Sequence, residues 1–75
     1  MIKGVGSDIS IFIWEERGSK KPCVGVGELD PGRWLGLHRH ENIAEFYYEV
    51  SGRAKVTAEE EIDAKPGTAI YISPR

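Results

Sequence analysis

The chain has 75 residues, with 12 acidic and 10 basic side chains, a formal net charge of −2 and 40% hydrophobic residues. This length fits one small domain, and the basic residues are too scattered to form a patch that binds nucleic acid. No apolar run is long enough for a membrane span, and nine glycines with four prolines favour short strands joined by turns over a helical bundle.

The expected compartment follows from the N-terminal segment and the cysteine count. The first residues, MIKGVGSD, lack the apolar segment of a secretory signal. A single cysteine, Cys23, cannot form an internal disulfide. We therefore expect a reducing, cytoplasmic location. A chain this short also buries only about 60% of its unfolded surface, so we expect a metal, a partner subunit or further chain to add stability.

Short apolar stretches separated by turn residues at intervals of about 8–12 residues predict an antiparallel sandwich or barrel. Residues 1–8 are expected to form an N-terminal arm, and Glu15 to Lys21 a turn. The predicted strands are Ile9–Trp14, Cys23–Glu28, Trp34–His40, Ala44–Ser51, Arg53–Ala58, a short strand at Ile62, and Thr68–Ser73.

Two turns have a clear local cause. In Asp30-Pro31-Gly32 the proline presets φ and the glycine accepts a positive φ, and Pro66-Gly67 has the same chemistry. In the strand that begins at Cys23, valines alternate with glycines, so one face carries almost no side chains. Such a face allows close approach of another backbone or of a ligand.

His38 and His40 are the two histidines of the chain. Two residues apart on a strand, they share a face, with Cα atoms about 6.6 Å apart. Glu45 begins the next predicted strand, which can return beside the histidines. Two imidazoles and one carboxylate on one face are a ligand set for divalent metals with open positions. The alternative is an exposed polar face without a metal.

The residues Gly32, His38, His40, Glu45 and Gly52 follow the spacing G-x5-H-x-H-x4-E-x6-G. This pattern resembles the first motif of the cupin family at every spacing. The stretch PGTAIYISP, which ends at residue 74, resembles the opening of the second cupin motif. The resemblance covers about residues 24–75.

The resemblance implies an all-β fold, a double-stranded β-helix or jelly roll, with a cupin β-barrel domain at residues 9–75. It also implies a homodimer and a divalent metal (Fe, Mn, Ni or Zn) held by His38, His40 and Glu45. Cupins usually add a third histidine from the second motif, and the sequence ends at Arg75 before that position. We expect either that the chain continues into further C-terminal strands or that a partner subunit fills the missing edge.

Three further expectations concern the strand after Glu45. Tyr47 shares its inward face and could act catalytically as a proton carrier, as in some cupin lyases, or could be a wall aromatic. Glu49 is either a further acid in the pocket or is turned outward by a bulge. Phe46 and Tyr48 take the opposite face and pack between sheets or subunits. Arg39 is expected on the face opposite to the histidines.

These features predict a small metal-binding cupin that acts on a small polar or carboxylate molecule. If it is an enzyme, dioxygenase, decarboxylase, isomerase and lyase chemistries all occur with this motif, so the fold does not select the reaction. One alternative is a ligand-binding or sensing cupin without turnover. Another is a metal-free jelly roll with vestigial histidines.

Overall fold

The computed structural model describes residues 1–18, 23–36, 44–58 and 60–73. These residues form eight β-strands and no helix, and none of them belongs to a helix that could cross a membrane. The strands are β1 (Ile2–Val5), β2 (Ser10–Arg17), β3 (Cys23–Leu29), β4 (Trp34–Leu35), β5 (Ala44–Ser51), β6 (Arg53–Thr57), β7 (Glu61–Ala64) and β8 (Ala69–Ile72).

The strands form two four-stranded antiparallel sheets. The first sheet has the order β4-β1-β6-β7 and the second has the order β3-β2-β5-β8. The chain passes from one sheet to the other between β1 and β2, β3 and β4, β4 and β5, β5 and β6, and β7 and β8, as expected for a jelly roll. The predicted all-β architecture is therefore confirmed.

The core lies between the inner faces of the two sheets. On β6, Ala54 and Val56 are each 1% exposed, and their neighbours Arg53, Lys55 and Thr57 point away from the core. This is the alternation expected of a strand with one buried face. The buried hydrophobic residues are Ile2, Phe12, Leu29, Tyr47, Ala54, Val56, Ala64, Ile70 and Ile72.

Both predicted proline–glycine turns are present. The Arg33 amide donates to the Asp30 carbonyl over 3.0 Å, and Gly32 has φ of 80°. The Thr68 amide donates to the Lys65 carbonyl over 2.9 Å, and Gly67 has φ of 93°. A positive φ after proline is the geometry of a type II turn, which is why glycine occupies both positions.

Two segments differ from the expected elements. Within the expected N-terminal arm, residues 2–5 form β1, which pairs with both β4 and β6. The expected turn from Glu15 begins later, because β2 continues to Arg17 and pairs on both sides, with β3 and with β5. In both cases hydrogen bonds to strands distant in sequence extend a segment whose local composition favours a loop. Of the predicted strand Trp34–His40, β4 contains Trp34 and Leu35, and residues 37–40 lie outside the described ranges.

The connection between β5 and β6 depends on Gly52. Gly52 has φ of 74°, and a methyl group there would overlap the backbone carbonyl of Ile9. We predict that Gly52→Ala lowers the free energy of unfolding by about 3 kcal/mol, because steric overlap adds to backbone strain. Gly67→Ala is the matched control, since Gly67 also has a positive φ but no atom within 4 Å of the added group. Gly67→Ala should lower the free energy of unfolding by only about 1 kcal/mol. Urea denaturation measures both, and equal losses would contradict the packing argument.

Candidate functional site

A cavity of about 260 Å³ opens between the inner faces of the two sheets. The second sheet supplies the aromatic walls, from Phe12, Trp14 and Tyr47. The first sheet closes the opposite side with Ile2 and Val56. The remaining lining residues are Glu15, Glu16, Gly27, Leu35, Gly36, Glu45, Phe46 and Ile72. An apolar pocket with a few polar groups is the usual form of a small-molecule site.

The glycines of β3 make room for this wall. Phe12 is the cross-strand partner of Gly27, and Trp14 is the partner of Gly25. A methyl group at either glycine would overlap the opposing aromatic ring. The expected close approach to the bare face of β3 is therefore made by side-chain rings of the neighbouring strand. The Tyr47 ring stacks on Phe12, with centroids 4.9 Å apart and an interplanar angle of 24°, which continues the wall onto β5.

Glu45 is the one predicted metal ligand that the described residues include. It is half-buried at the start of β5 and lines the cavity, with Glu16 and Ile72 as its cross-strand partners. His38 and His40 lie outside the described residues. Among the residues with described positions, no group of three or more His, Cys, Asp or Glu side chains could hold a metal ion. The ligand set of His38, His40 and Glu45 therefore remains a prediction. Of these three residues, the structure describes Glu45, which lines the cavity.

Glu16 is a lining residue that the sequence analysis missed. It lies in β2, directly opposite Glu45 in the antiparallel pair. The signal was available, since Phe12 and Trp14 precede it at intervals of two residues and all three line the cavity. The predicted strand ended at Trp14, so Glu16 was not assigned to the inward face. In the structure β2 continues to Arg17 and pairs with β5, and Glu16 therefore keeps the alternation of Phe12 and Trp14.

Glu49 lies in the core, 0% exposed. The Ser10 hydroxyl, also 0% exposed, donates to Glu49 Oε2 over 2.7 Å, and the Tyr47 hydroxyl donates to Oε1. The alternation that placed Glu49 inward is therefore observed. The ladder is irregular next to it, because Phe12 pairs with Glu49 whereas Ile11 pairs with Ser51, and Glu49 keeps its inward direction. It is not among the residues that line the cavity described above, and its two hydrogen bonds satisfy the buried hydroxyls of Ser10 and Tyr47.

This network determines which part of the Tyr47 side chain faces the cavity. Burial is the main cause that raises the pKa of the Tyr47 hydroxyl above its usual range, and the hydrogen bond to Glu49 raises it further. The phenol therefore stays protonated and donates into the core. Its ring lines the cavity, which supports the wall-aromatic interpretation. The catalytic role of Tyr47 stays a prediction.

The buried network gives a stability prediction. Tyr47→Phe removes a donor from a fully buried carboxyl and should lower the free energy of unfolding by about 1–3 kcal/mol. The neighbouring Tyr48→Phe is the matched control, because Tyr48 is 44% exposed on the other face and its loss should stay within about 0.5 kcal/mol. Guanidinium denaturation of both variants gives the comparison. If the two variants were equally stable, the Tyr47–Glu49 hydrogen bond would contribute nothing to folding.

Comparisons with known proteins bear on the same residues. A family model described as Cupin domain matches residues 25–75, which include Glu45 and most of the second sheet's inner face. No curated protein and no solved structure matches the chain in the corresponding searches.

Proposed function

Since the chain belongs to the cupin family, we propose that it is a small metal-binding cupin that acts on a small polar molecule in the cavity between its sheets. The observation that carries the proposal is the position of Glu45. This last of the three proposed ligands lies at the cavity wall, half-buried, beside aromatic side chains that can exclude water. The expected partners in metal binding are His38 and His40.

The donor chemistry fits a divalent transition metal. Imidazole and carboxylate ligands suit Fe, Mn, Ni or Zn, and ligand type alone does not choose among them. Held there, such an ion would act as a Lewis acid that polarises a ligand oxygen. The chain's own residues have separate tasks. Phe12, Trp14 and Tyr47 shield the bound molecule from water, and Glu16 accepts a hydrogen bond or a proton from it.

Metal content tests this proposal directly. We expect the purified protein to carry near-stoichiometric divalent metal, and His38→Ala or Glu45→Ala to abolish it, because three ligands with an open position leave little reserve. Glu28→Ala is the matched control, since Glu28 is exposed on β3 and does not line the cavity. Elemental analysis of the four proteins provides the measurement. Equal metal content in all four would support the metal-free alternative.

We also propose that the protein is a homodimer that uses the outer face of the second sheet. Val26, Ile13 and Tyr48 are cross-strand neighbours on this face and are 69%, 39% and 44% exposed. Phe46 and Tyr71 extend the same apolar surface, with ring centroids 5.0 Å apart. Four strands spaced by about 4.8 Å, over six or so residues, present a projected area of about 400 Å². An apolar surface of this order is comparable to the largest patch on a typical monomer, and such patches often serve a function.

Charge supports a second copy as the occupant of this face. Glu15 and Arg17 lie at the border of the patch and pair with each other, with Arg17 Nε 2.6 Å from Glu15 Oε1. The Arg17 guanidinium also lies over the Phe46 ring, 5.6 Å from its centroid. The Glu15–Arg17 pair therefore brings no net charge to the patch, and Glu28, exposed on the same face, lies beside Ile11 near the start of β2.

Light scattering on a size-exclusion column tests the dimer. At micromolar concentration we expect twice the monomer mass of 8.4 kDa. Tyr48→Lys should give the monomer mass, because it would bury an unpaired ammonium group of each copy in the apolar interface. Trp34→Lys makes the same kind of change on the other sheet, where Trp34 is 64% exposed, and should leave the dimer intact. A monomeric parent protein would refute the proposal.

A further inference from the structure

The outer face of the second sheet is uneven. One row of cross-strand partners, taken from β3 to β8, consists of Val26, Ile13, Tyr48 and Ala69. Side chains in this row become larger up to Tyr48 on β5 and end in a single methyl group on β8. A groove of about 350 Å³ lies at this point, with Tyr48, Ala69 and Tyr71 in its lining. The face therefore has a ridge at Tyr48 and a notch at Ala69.

Two copies of this face can stack with aligned strands in two ways. Packed sheets of this kind keep their strand directions within about 30° of each other, and a symmetric face-to-face dimer has its two-fold axis in the plane between the sheets. That axis runs either parallel or perpendicular to the strands. A parallel axis places β3 of one copy over β8 of the other. A perpendicular axis places each strand over its own counterpart.

Side-chain size favours the parallel axis. With the perpendicular axis β5 lies over β5, so that large residues, Phe46 and Tyr48, meet large residues while other positions leave gaps. With the parallel axis Val26 lies over the notch at Ala69, and Ile13 lies over Tyr48. Interfaces are packed about as densely as protein interiors, which contain few voids. The parallel axis therefore gives the better fit between two identical faces.

Charge gives a second argument for the parallel axis. Glu28 is exposed on β3, at one edge of the face. Lys65 is exposed in the turn of residues 65–68, which leads into β8 at the other edge. The Gly67 amide of this turn donates to the Glu49 carbonyl over 2.8 Å, and the pairing of β3 with β2 and of β2 with β5 places Glu28 at the same end of the sheet. The parallel axis therefore brings Glu28 of each copy to the turn of the other.

We infer that the two-fold axis of the dimer runs parallel to the strands of the second sheet, so that β3 of each copy lies over β8 of the other. Val26 of one copy then packs into the notch at Ala69 of its partner. Glu28 at the same time faces Lys65. This inference rests on the homodimer proposed above, because it specifies how two copies meet on the same face. It also covers Val24 and Val26, which are 66% and 69% exposed.

Cross-linking between single-cysteine variants tests the axis. Val26→Cys and Ala69→Cys are each made in a Cys23→Ser background, and one of them is labelled with ¹⁵N. The two are mixed at low concentration, concentrated together and treated with a short bismaleimide, because facing sheets lie about 10 Å apart, beyond the reach of a disulfide. Mass spectrometry identifies the covalent dimers. We expect the mixed product, whereas the perpendicular axis would link each variant to itself.

A matched control uses the other sheet. Lys3→Cys in the same background places the cysteine at an exposed position of β1, on the outer face of the first sheet, and should give no covalent dimer.

Charge reversal tests the contact between Glu28 and Lys65 separately. Glu28→Lys should raise the dissociation constant of the dimer by about tenfold, because two attractive ion pairs become repulsive. Lys65→Glu should do the same, and the two changes together should restore the value of the parent protein. Lys3→Glu makes the same change in charge as Lys65→Glu on the first sheet and should leave the dissociation constant unchanged. Sedimentation equilibrium provides the measurement.

The outcomes separate this arrangement from the dimer itself. A monomeric parent protein would overturn both. A dimeric parent protein in which Val26→Cys links to itself, or in which no variant is linked, would overturn the parallel axis and leave the proposed dimer intact. The mixed product together with rescue by the double charge reversal would support the inference. The mixed product without rescue would support the axis and overturn the contact between Glu28 and Lys65.

Discussion

The packing of aromatic rings on the bare face of β3 is the constraint on which the site depends. Phe12 and Trp14 lie against Gly27 and Gly25, where any side chain would overlap the rings. The rings therefore lie close to their own sheet, and space remains between the two sheets for a cavity. A strand of larger residues at these positions would push the rings inward and fill that space. The glycines of β3 contribute to the site because they have no side chains that would displace the rings.

A buried polar network holds one wall of this cavity in place. Glu49 accepts hydrogen bonds from Ser10 and Tyr47 at a position where nothing of its side chain reaches solvent. Such a group is costly in a core unless its hydrogen bonds are made. The hydrogen bond from Tyr47 satisfies the Glu49 carboxyl, and the same hydrogen bond orients the Tyr47 ring. As a result, Tyr47 of β5 presents an apolar ring to the cavity. Its hydroxyl and the carboxyl of Glu49, two residues further along the same strand, form a polar network in the core.

Much of the fold is readable from local chemistry. The strand Ala44–Ser51 was predicted with the bounds that β5 has, because polar residues precede a stretch rich in aromatic and aliphatic side chains and Gly52 follows it. The turns at Gly32 and Gly67 follow from proline and glycine alone. The segments that differed, β1 and the end of β2, have weak local signals. They are strands because partners far away in the sequence offer them hydrogen bonds, and even the alternation that continues from Phe12 through Trp14 to Glu16 does not identify those partners.

The same division applies to the site. The sequence by itself determined the family, the all-β class and the inward direction of Glu45, because motif spacing and the two-residue period of a strand are properties of the chain alone. The opposition of Glu16 to Glu45, the seating of rings on glycines and the pairing of Tyr47 with Glu49 were decided only by the tertiary structure. These features depend on the register between strands, which is set by long-range pairing and by the packing of both sheets against one core.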